Sequence, residues 1–229
     1  MKDFKRRRAP RGSGEQLRDE ILDATTSLLL ETGNAKDVSI RSVAQRVGVT
    51  PPSIYLHFAD KDALLDAVCA RYFEKLDEEM QSVAAVQPST IEVLRAQGLA
   101  YVRFAMKTPQ LYRIAAMGES RPGSDVDVAL NSSAFVHLRA AVEKLMAEGI
   151  YPPGDPTATA LELMTVAHGV AAMLISKPYL PWGDVEDFAD RVLRAVCLGQ
   201  ITMGALDPEA APPETVSRLK GLLGVEHSR

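Results

Sequence analysis

The sequence predicts an all-α protein, and three observations carry that reading. Apolar residues recur at three- and four-residue intervals through most of the 229 residues, the period of a helix with one buried face. Acidic, hydroxyl or proline residues open these segments, and glycine or proline follows their ends. No stretch of alternating β-branched residues competes with the pattern.

The elements follow in chain order. Residues 1–13 lack periodicity and carry Arg, Pro, Gly and Ser, so a basic, disordered arm is expected there. From Gly14, "EQLRDEILDATTSLLLETG" places Leu17, Ile21, Ala24 and Leu28 on one face, with acids early and Gly33 at the close, which suits a first helix. Ser39 caps a short second helix over 39–46 that carries Ile40, Val43, Ala44 and Val47, and Gly48 breaks it. A third, over 51–57, starts at the paired prolines of "VGVTPPSIYLHF". Proline is favoured at the first helical position, where its missing N–H has no intrahelical partner anyway. Thr50 before it is a good N-cap type, and a residue preceding proline is pushed into the extended conformation that a cap needs. Pro51 also precedes a proline, so either Pro51 or Pro52 can be the true start. Asp60 caps a long fourth helix with Leu64, Val68, Tyr72 and Leu76 on one face.

The rest of the chain continues in the same way. Ile91, Leu94, Gly98, Tyr101 and Ala105 form the stripe of a fifth helix, and Pro109 leads a sixth through Met117. "GESRPGSD" is a loop, Val126 to Glu148 a seventh helix, and "YPPGDP" a break. Thr157 to Ser176 is a strongly apolar eighth helix, and after "KPYLPWGD" a ninth runs from Val185 to Leu206. A short tenth follows Pro212 and Pro213. There is no internal repeat.

Composition is that of an ordinary globular chain, 46% apolar and 24% charged. The net charge of −4 is split: residues 1–65 hold 11 Lys and Arg against 9 Asp and Glu, which leaves −6 for the remainder. A basic end on an acidic body suits a polyanion partner; a solvated tail is the other reading. No apolar run reaches membrane-spanning length and no apolar core follows the basic N-terminus, so no membrane association and a cytoplasmic location are expected. Cys69 and Cys197 lie far apart in apolar contexts, as buried free thiols do. No metal-ligand spacing, Gly-rich phosphate loop or nucleophile elbow is present, so no enzyme, metal or cofactor is expected.

The second and third helices, joined by "VGV", have the helix-turn-helix arrangement, whose second helix enters the DNA major groove. A helical hairpin inside a plain α core has the same spacing. The residues go further. "SIRSVAQRVGVTPPSIYLHFADKDALL" resembles the TetR family of transcriptional regulators. The family's cap, turn and helix-closing pattern falls on Ser39, Ile40, Val43, Ala44, Gly48, Val49, Ile54, Tyr55, His57, Phe58, Lys61 and Leu64. The resemblance covers residues 14–65 well and the remainder by helical layout, with "AHGVAAML" and "YLPWGD" loosely similar to one subgroup's ligand domain.

The resemblance implies an N-terminal three-helix helix-turn-helix DNA-binding domain (14–60), a connecting helix (61–84) and a C-terminal helical bundle (85–229) for ligand binding and dimerisation. Ser39, Tyr55, His57 and Lys61 are then phosphate-positioning residues, and the N-terminus of the fourth helix adds its dipole at Lys61. For Tyr55 and His57 a packed role is the alternative. Pro51 and Pro52 depart from the polar residues common in the family here and offer only apolar surface, for example to a thymine methyl. Base reading then falls to Arg41, Gln45, Thr50 and Ser53. Dimerisation would use the eighth and ninth helices and make the double-stranded operator palindromic. A ligand cavity between helices five to eight is also implied, with Tyr101, Phe104, Tyr112, Met117, Phe135, Leu138, Met164, His168 and Trp182 as candidates; plain core is the alternative for each. The expected function is a repressor released from its operator by a small, largely apolar molecule. The alternative is a DNA-binding regulator without small-molecule input, its body serving dimerisation or a protein partner.

Overall fold

The helices that follow Ser39, Asp60, Asp155 and Asp184 begin where a side chain can receive an amide that the first turn leaves unpaired. The computed structural model describes residues 13–117, 133–203, 206 and 211–222. Ten α-helices and one 3-10 turn are formed, with no strand among the described residues. They are α1 (Ser13–Thr32), a 3-10 turn (Ala35–Asp37), α2 (Ile40–Val47), α3 (Pro51–Tyr55), α4 (Lys61–Ala84), α5 (Thr90–Lys107), α6 (Pro109–Ala116), α7 (Ser133–Ala147), α8 (Pro156–Ser176), α9 (Val185–Met203) and α10 (Pro212–Leu222). Asp60, Asp155 and Asp184 each accept a backbone N–H from the first turn of the helix that follows, at 2.7, 2.9 and 2.9 Å. The expected arm lies outside the described residues except for Ser13, which opens α1. The 118–125 loop and residues 126–132 of the expected seventh helix lie outside them as well.

The chain divides into two units. The N-terminal unit holds the described residues through Glu74 together with 108–117, and the C-terminal unit holds Lys75–Lys107 and the described residues from 133 on. In the N-terminal unit, α1 packs on α2 and α6, and α2 packs on α3. Its core is Ile21, Leu22, Leu29, Val43, Ile54, Phe58, Leu64 and Val68, all buried. Thr25 is fully buried there, and its hydroxyl donates to the Ile21 carbonyl at 2.7 Å, which removes the penalty of an unpaired polar group. Helix α6 belongs to this unit because Leu111 and Ile114 pack against that core.

In the C-terminal unit α5 and α8 pack on each other, and each packs on both α7 and α9. One cluster gathers Leu94, Phe135, Val142, Leu145, Tyr151 and Ala160; a second gathers Leu99, Val102, Val170, Leu174 and Leu193. Helix α8 is long and apolar enough, by length and composition, to cross a membrane, contrary to the expectation that no run reaches that length. Its packing on three neighbouring helices accounts for its apolarity: Ala160, Leu163, Ala167, Val170, Ala171, Leu174 and Ile175 are buried. Gly98 lies where α5 meets α9, and a Cβ there would stand 3.3 Å from Leu193 Cδ1.

Candidate nucleic-acid interface and ligand cavity

Helix α2 is fixed at both ends by local chemistry. Ser42 N–H donates to Ser39 Oγ at 3.1 Å and Ser39 N–H donates to Ser42 Oγ at 2.9 Å, a reciprocal capping box. At the other end Gly48 adopts φ 79°, ψ 31°, a left-handed conformation that glycine enters without steric cost. There Gly48 and Val49 both donate to the Ala44 carbonyl at 2.9 Å. The turn is tight because Ala44, 1% exposed, keeps only a methyl between the two helices.

Helix α3 starts at Pro51, with Thr50 in the extended cap conformation. The Thr50 side chain makes no bond to the helix backbone. The reason is chemical: Pro51 and Pro52 have no N–H, so the first available amide, that of Ser53, goes to the Thr50 carbonyl at 2.9 Å. The two hydroxyls of Thr50 and Ser53 bond each other instead, at 3.1 Å. The helix ends at Tyr55, earlier than the periodicity suggested, because the amides of His57 and Phe58 both turn back to the Ile54 carbonyl.

With Val43, Ala44, Ile54 and Phe58 taking the core, the remaining positions face outward. Ser39, Arg41, Gln45, Thr50, Pro52 and Tyr55 are exposed; Pro51, Ser53, His57 and Lys61 are half-buried. Gln45 shares a groove with Leu28, Ser42 and Arg46. Two features are not evident from the sequence. Leu56 is 84% exposed; the Ile54–Phe58 spacing, four residues apart on the inward side, is the signal that leaves it outside. Arg46 is held by Glu31 of α1 through two bonds of 2.8 and 2.7 Å, and those bonds hold the Glu31 carboxyl below its ordinary range. Arg18, part of the basic N-terminal excess, stacks 5.3 Å over the Phe58 ring. At the head of α4 the Asp60 carboxylate already accepts an amide, so a phosphate there shares the helix dipole with Asp60 and relies on the Lys61 ammonium.

The C-terminal unit contains a cavity of about 40 Å³. Of the nine sequence candidates, Tyr101, Leu138 and Met164 line it, and no charged side chain does among the described residues. Tyr101 links His168 to the wall, with the hydroxyl 3.3 Å from Nδ1. Burial pushes the His168 pKa down and the Cys197 thiol up. Phe135 is in the Leu94 cluster, and Phe104 is buried on α5. Trp182 packs on the Leu99 cluster beside Phe188, and its indole N–H donates to the Lys177 carbonyl at 2.8 Å. Tyr112, buried, and Met117, 45% exposed, belong to the N-terminal unit. Met80, Gly98, Leu193 and Cys197 also line the cavity. Gly98 stands on the stripe of the fifth helix, whereas periodicity does not mark Met80, Leu193 and Cys197 as cavity residues, because the cavity is what remains after separate helices have packed.

Comparisons with known proteins bear on both units. Residues 21–68 match the family model for bacterial regulatory proteins of the tetR family, and residues 94–196 match that for the tetracyclin repressor-like C-terminal domain. The HTH-type transcriptional regulator EthR of Mycobacterium tuberculosis is 26% identical over 189 residues, which is 79% of this chain and 87% of that protein. The tetracycline repressor protein class D of Escherichia coli is 30% identical over 90 residues, 39% of this chain and 40% of that one. Among solved structures, a protein of unknown function from Rhodococcus sp. RHA1 superposes with a TM-score of 0.70 at 23% identity, covering 87% of this chain and 100% of that chain. The fatty acid degradation regulator FadR from Bacillus halodurans superposes with a TM-score of 0.66 at 16% identity, covering 79% and 98%. These two structures share the fold.

Proposed function

The chain belongs to the TetR family of DNA-binding transcriptional regulators, and from that premise we propose that it is a dimeric repressor released from a palindromic operator by a small, largely apolar effector. The observation that carries the DNA half is the outward face of the capped α2–turn–α3 pair. Ser39, Tyr55, His57 and Lys61 supply phosphate donors. Arg41 and Gln45 supply the polar readers, since Arg46 is engaged by Glu31. Pro51, Pro52 and Leu56 supply apolar contact.

TetR-family regulators act as dimers, and in this chain the proposed dimer surface is that of α8 and α9. Met173, Leu198 and Ile201 are exposed on those helices, and Gln200 of α9 donates to Glu162 of α8 at 2.7 Å. Two recognition helices spaced about one DNA turn, ~34 Å, then read the two half-sites. Helix α4 runs unbroken from Lys61 to Ala84, its first residues in one unit and its last in the other, and so supplies a stiff covalent path for an effector's influence. Such an effector must bind the non-operator conformation more tightly, because equal affinity shifts nothing.

A second reading, regulation without a small molecule, draws on the modest cavity volume of about 40 Å³. One experiment separates the two. Duplexes bound by the full chain are selected from a random pool, and operator affinity is then measured across a small-molecule screen. A palindromic consensus with at least one molecule that lowers affinity is expected. Failure to enrich any sequence would sink the DNA reading; a consensus with no responsive molecule would favour the second.

A further inference from the structure

Two arginines of the N-terminal unit are tied to carboxylates: Arg46 to Glu31 and Arg71 to Asp23. Neither guanidinium reaches a phosphate without first leaving its partner. Arg18 of α1 is held differently. Its guanidinium carbon stands 5.3 Å from the centre of the Phe58 ring, within the range of a cation–π contact. Among the described residues no carboxylate pairs with it, although Glu15 lies three residues before it on the same helix.

The two kinds of hold differ in what they leave over. A carboxylate takes up guanidinium N–H groups and offsets the charge. A ring face attracts the cation through its π electrons and accepts no N–H in the process. Arg18 therefore keeps its charge and its fork of donors, the arrangement that grips two oxygens of a phosphate. A long exposed side chain loses rotamer freedom when it binds, and contact with the ring removes part of that loss beforehand. The ring is itself fixed, because Phe58 is 4% exposed in the core of the unit.

The position matches the hold. Phe58 follows His57 directly and lies three residues before Lys61. Contact with Phe58 brings a residue distant in sequence to the corner between α3 and α4, where His57 and Lys61 stand. The Asp60 carboxylate at that corner accepts the Ala63 amide at 2.7 Å.

We propose that Arg18 is a further DNA-phosphate contact of each protomer, positioned by the Phe58 ring beside His57 and Lys61; this rests on the DNA reading above and gives α1 a docking role which that reading lacks.

The test uses the full chain, the duplex selected from a random pool and a scrambled duplex of the same length. Binding of Arg18→Gln, Arg18→Lys and Phe58→Leu is titrated from low to moderate salt, and thermal unfolding of each variant is recorded. Arg18 is exposed, so its variants fold. A phosphate contact carries no sequence information, and Arg18→Gln should weaken both duplexes by the same factor. At ~0.15 M salt that factor is about 30 for two protomers, and the slope of log affinity against log salt should flatten by about 1.8. Arg18→Lys keeps the charge and should keep the wild-type slope. Phe58→Leu releases the guanidinium and should lower affinity about two- to fivefold per half-site. Adding Arg18→Gln to Phe58→Leu should then lower affinity less than it does in the wild type.

An Arg18→Gln variant with the wild-type salt slope, whatever its Tm, would overturn the proposal, since the ring contact would then serve the fold alone. Equal losses from Arg18→Gln with and without Phe58→Leu would overturn the role of the ring. A wild-type chain that binds no duplex overturns this proposal and the regulator reading together. A wild type that binds, with Arg18→Gln indistinguishable from it, overturns this proposal and leaves the regulator reading standing.

Discussion

Ser39 is assigned two roles, one structural and one functional, and three substitutions separate them. In the structure its Oγ receives the Ser42 amide and its own amide reaches Ser42 Oγ. Ser39→Ala removes the first bond and leaves an N-terminal amide of α2 to water. The expected loss is about 1 kcal/mol, as for other hydroxyl N-caps, or a fall in Tm of about 2–4 °C for a chain of this size. Ser39→Asn keeps an acceptor, and its Tm should match the wild type. Ser39→Asp also keeps the acceptor and adds a charge that favours a helix N-terminus, so its Tm should equal or exceed the wild type. Its effect on DNA runs the other way. A carboxylate ~5 Å from a phosphate costs about 0.8 kcal/mol in water. Over two half-sites that becomes about 1.7 kcal/mol, or ~20-fold in operator affinity, and the effect shrinks as salt rises. Thermal unfolding and operator titration at low and at moderate salt read the two effects independently. An Ala variant with unaltered Tm refutes the capping argument, and an Asp variant with unaltered operator affinity refutes the placement of phosphate at the head of α2.

Other expectations follow from the same geometry. Lys61→Met should weaken binding to all sequences alike and flatten the slope of log affinity against log salt by about 1.8, a contribution of ~0.9 from each protomer; an unchanged slope removes Lys61 from the phosphate set. Gly48→Ala meets no steric neighbour but places a Cβ on a left-handed residue, so a loss of about 1–2 kcal/mol in urea unfolding is expected. Tyr151→Phe deletes a buried hydroxyl that, among the described residues, has only the weakly bonding Cys197 thiol beside it; stability should hold or rise, and a clear loss would reveal a stronger partner for that hydroxyl. Burial depresses the His168 pKa below its ordinary value of 6.5, so below that pH the unfolded chain binds a proton that the native state resists. The His168 contribution is therefore present above pH 6.5 and lost as pH falls, and His168→Gln should flatten the urea midpoint's decline between pH 7 and 5.

The features legible in the sequence are those set by neighbours along the chain. Ser39, Gly48, Pro51 and Asp60 act within four residues of themselves, and their local pattern predicts the helix ends they occupy. The end of α3 at Tyr55 is less legible, because it depends on the Ile54 carbonyl accepting both the His57 and the Phe58 amide, which no residue pattern announces. The 3-10 turn at Ala35–Asp37, held by the Asn34 side chain accepting from Lys36 N–H at 2.9 Å, is too short to leave a period. Helix α6 reads as part of the body by sequence position, yet Leu111 and Ile114 pack on a core built mostly from residues 17–68, a long-range choice that spacing does not encode. The same holds for the cavity. Tyr101, Leu138 and Met164 stand on stripes that pattern can find, whereas Met80 and Cys197 reach it only through the packing of separate helices.

The paired prolines bear on the timing of recognition. A five-residue helix such as α3 has no stability in isolation, because the nucleating turn loses more backbone freedom than its few hydrogen bonds return. Pro51 and Pro52 lower that loss by restricting the unfolded chain, each by about 0.4–1 kcal/mol where the native φ suits proline. On the proposed docking, α3 is thus set before the interface meets DNA. Encounter should then proceed as the docking of a formed surface, its rate governed by diffusion and long-range charge, with no ordering step of α3 between first contact and the final complex.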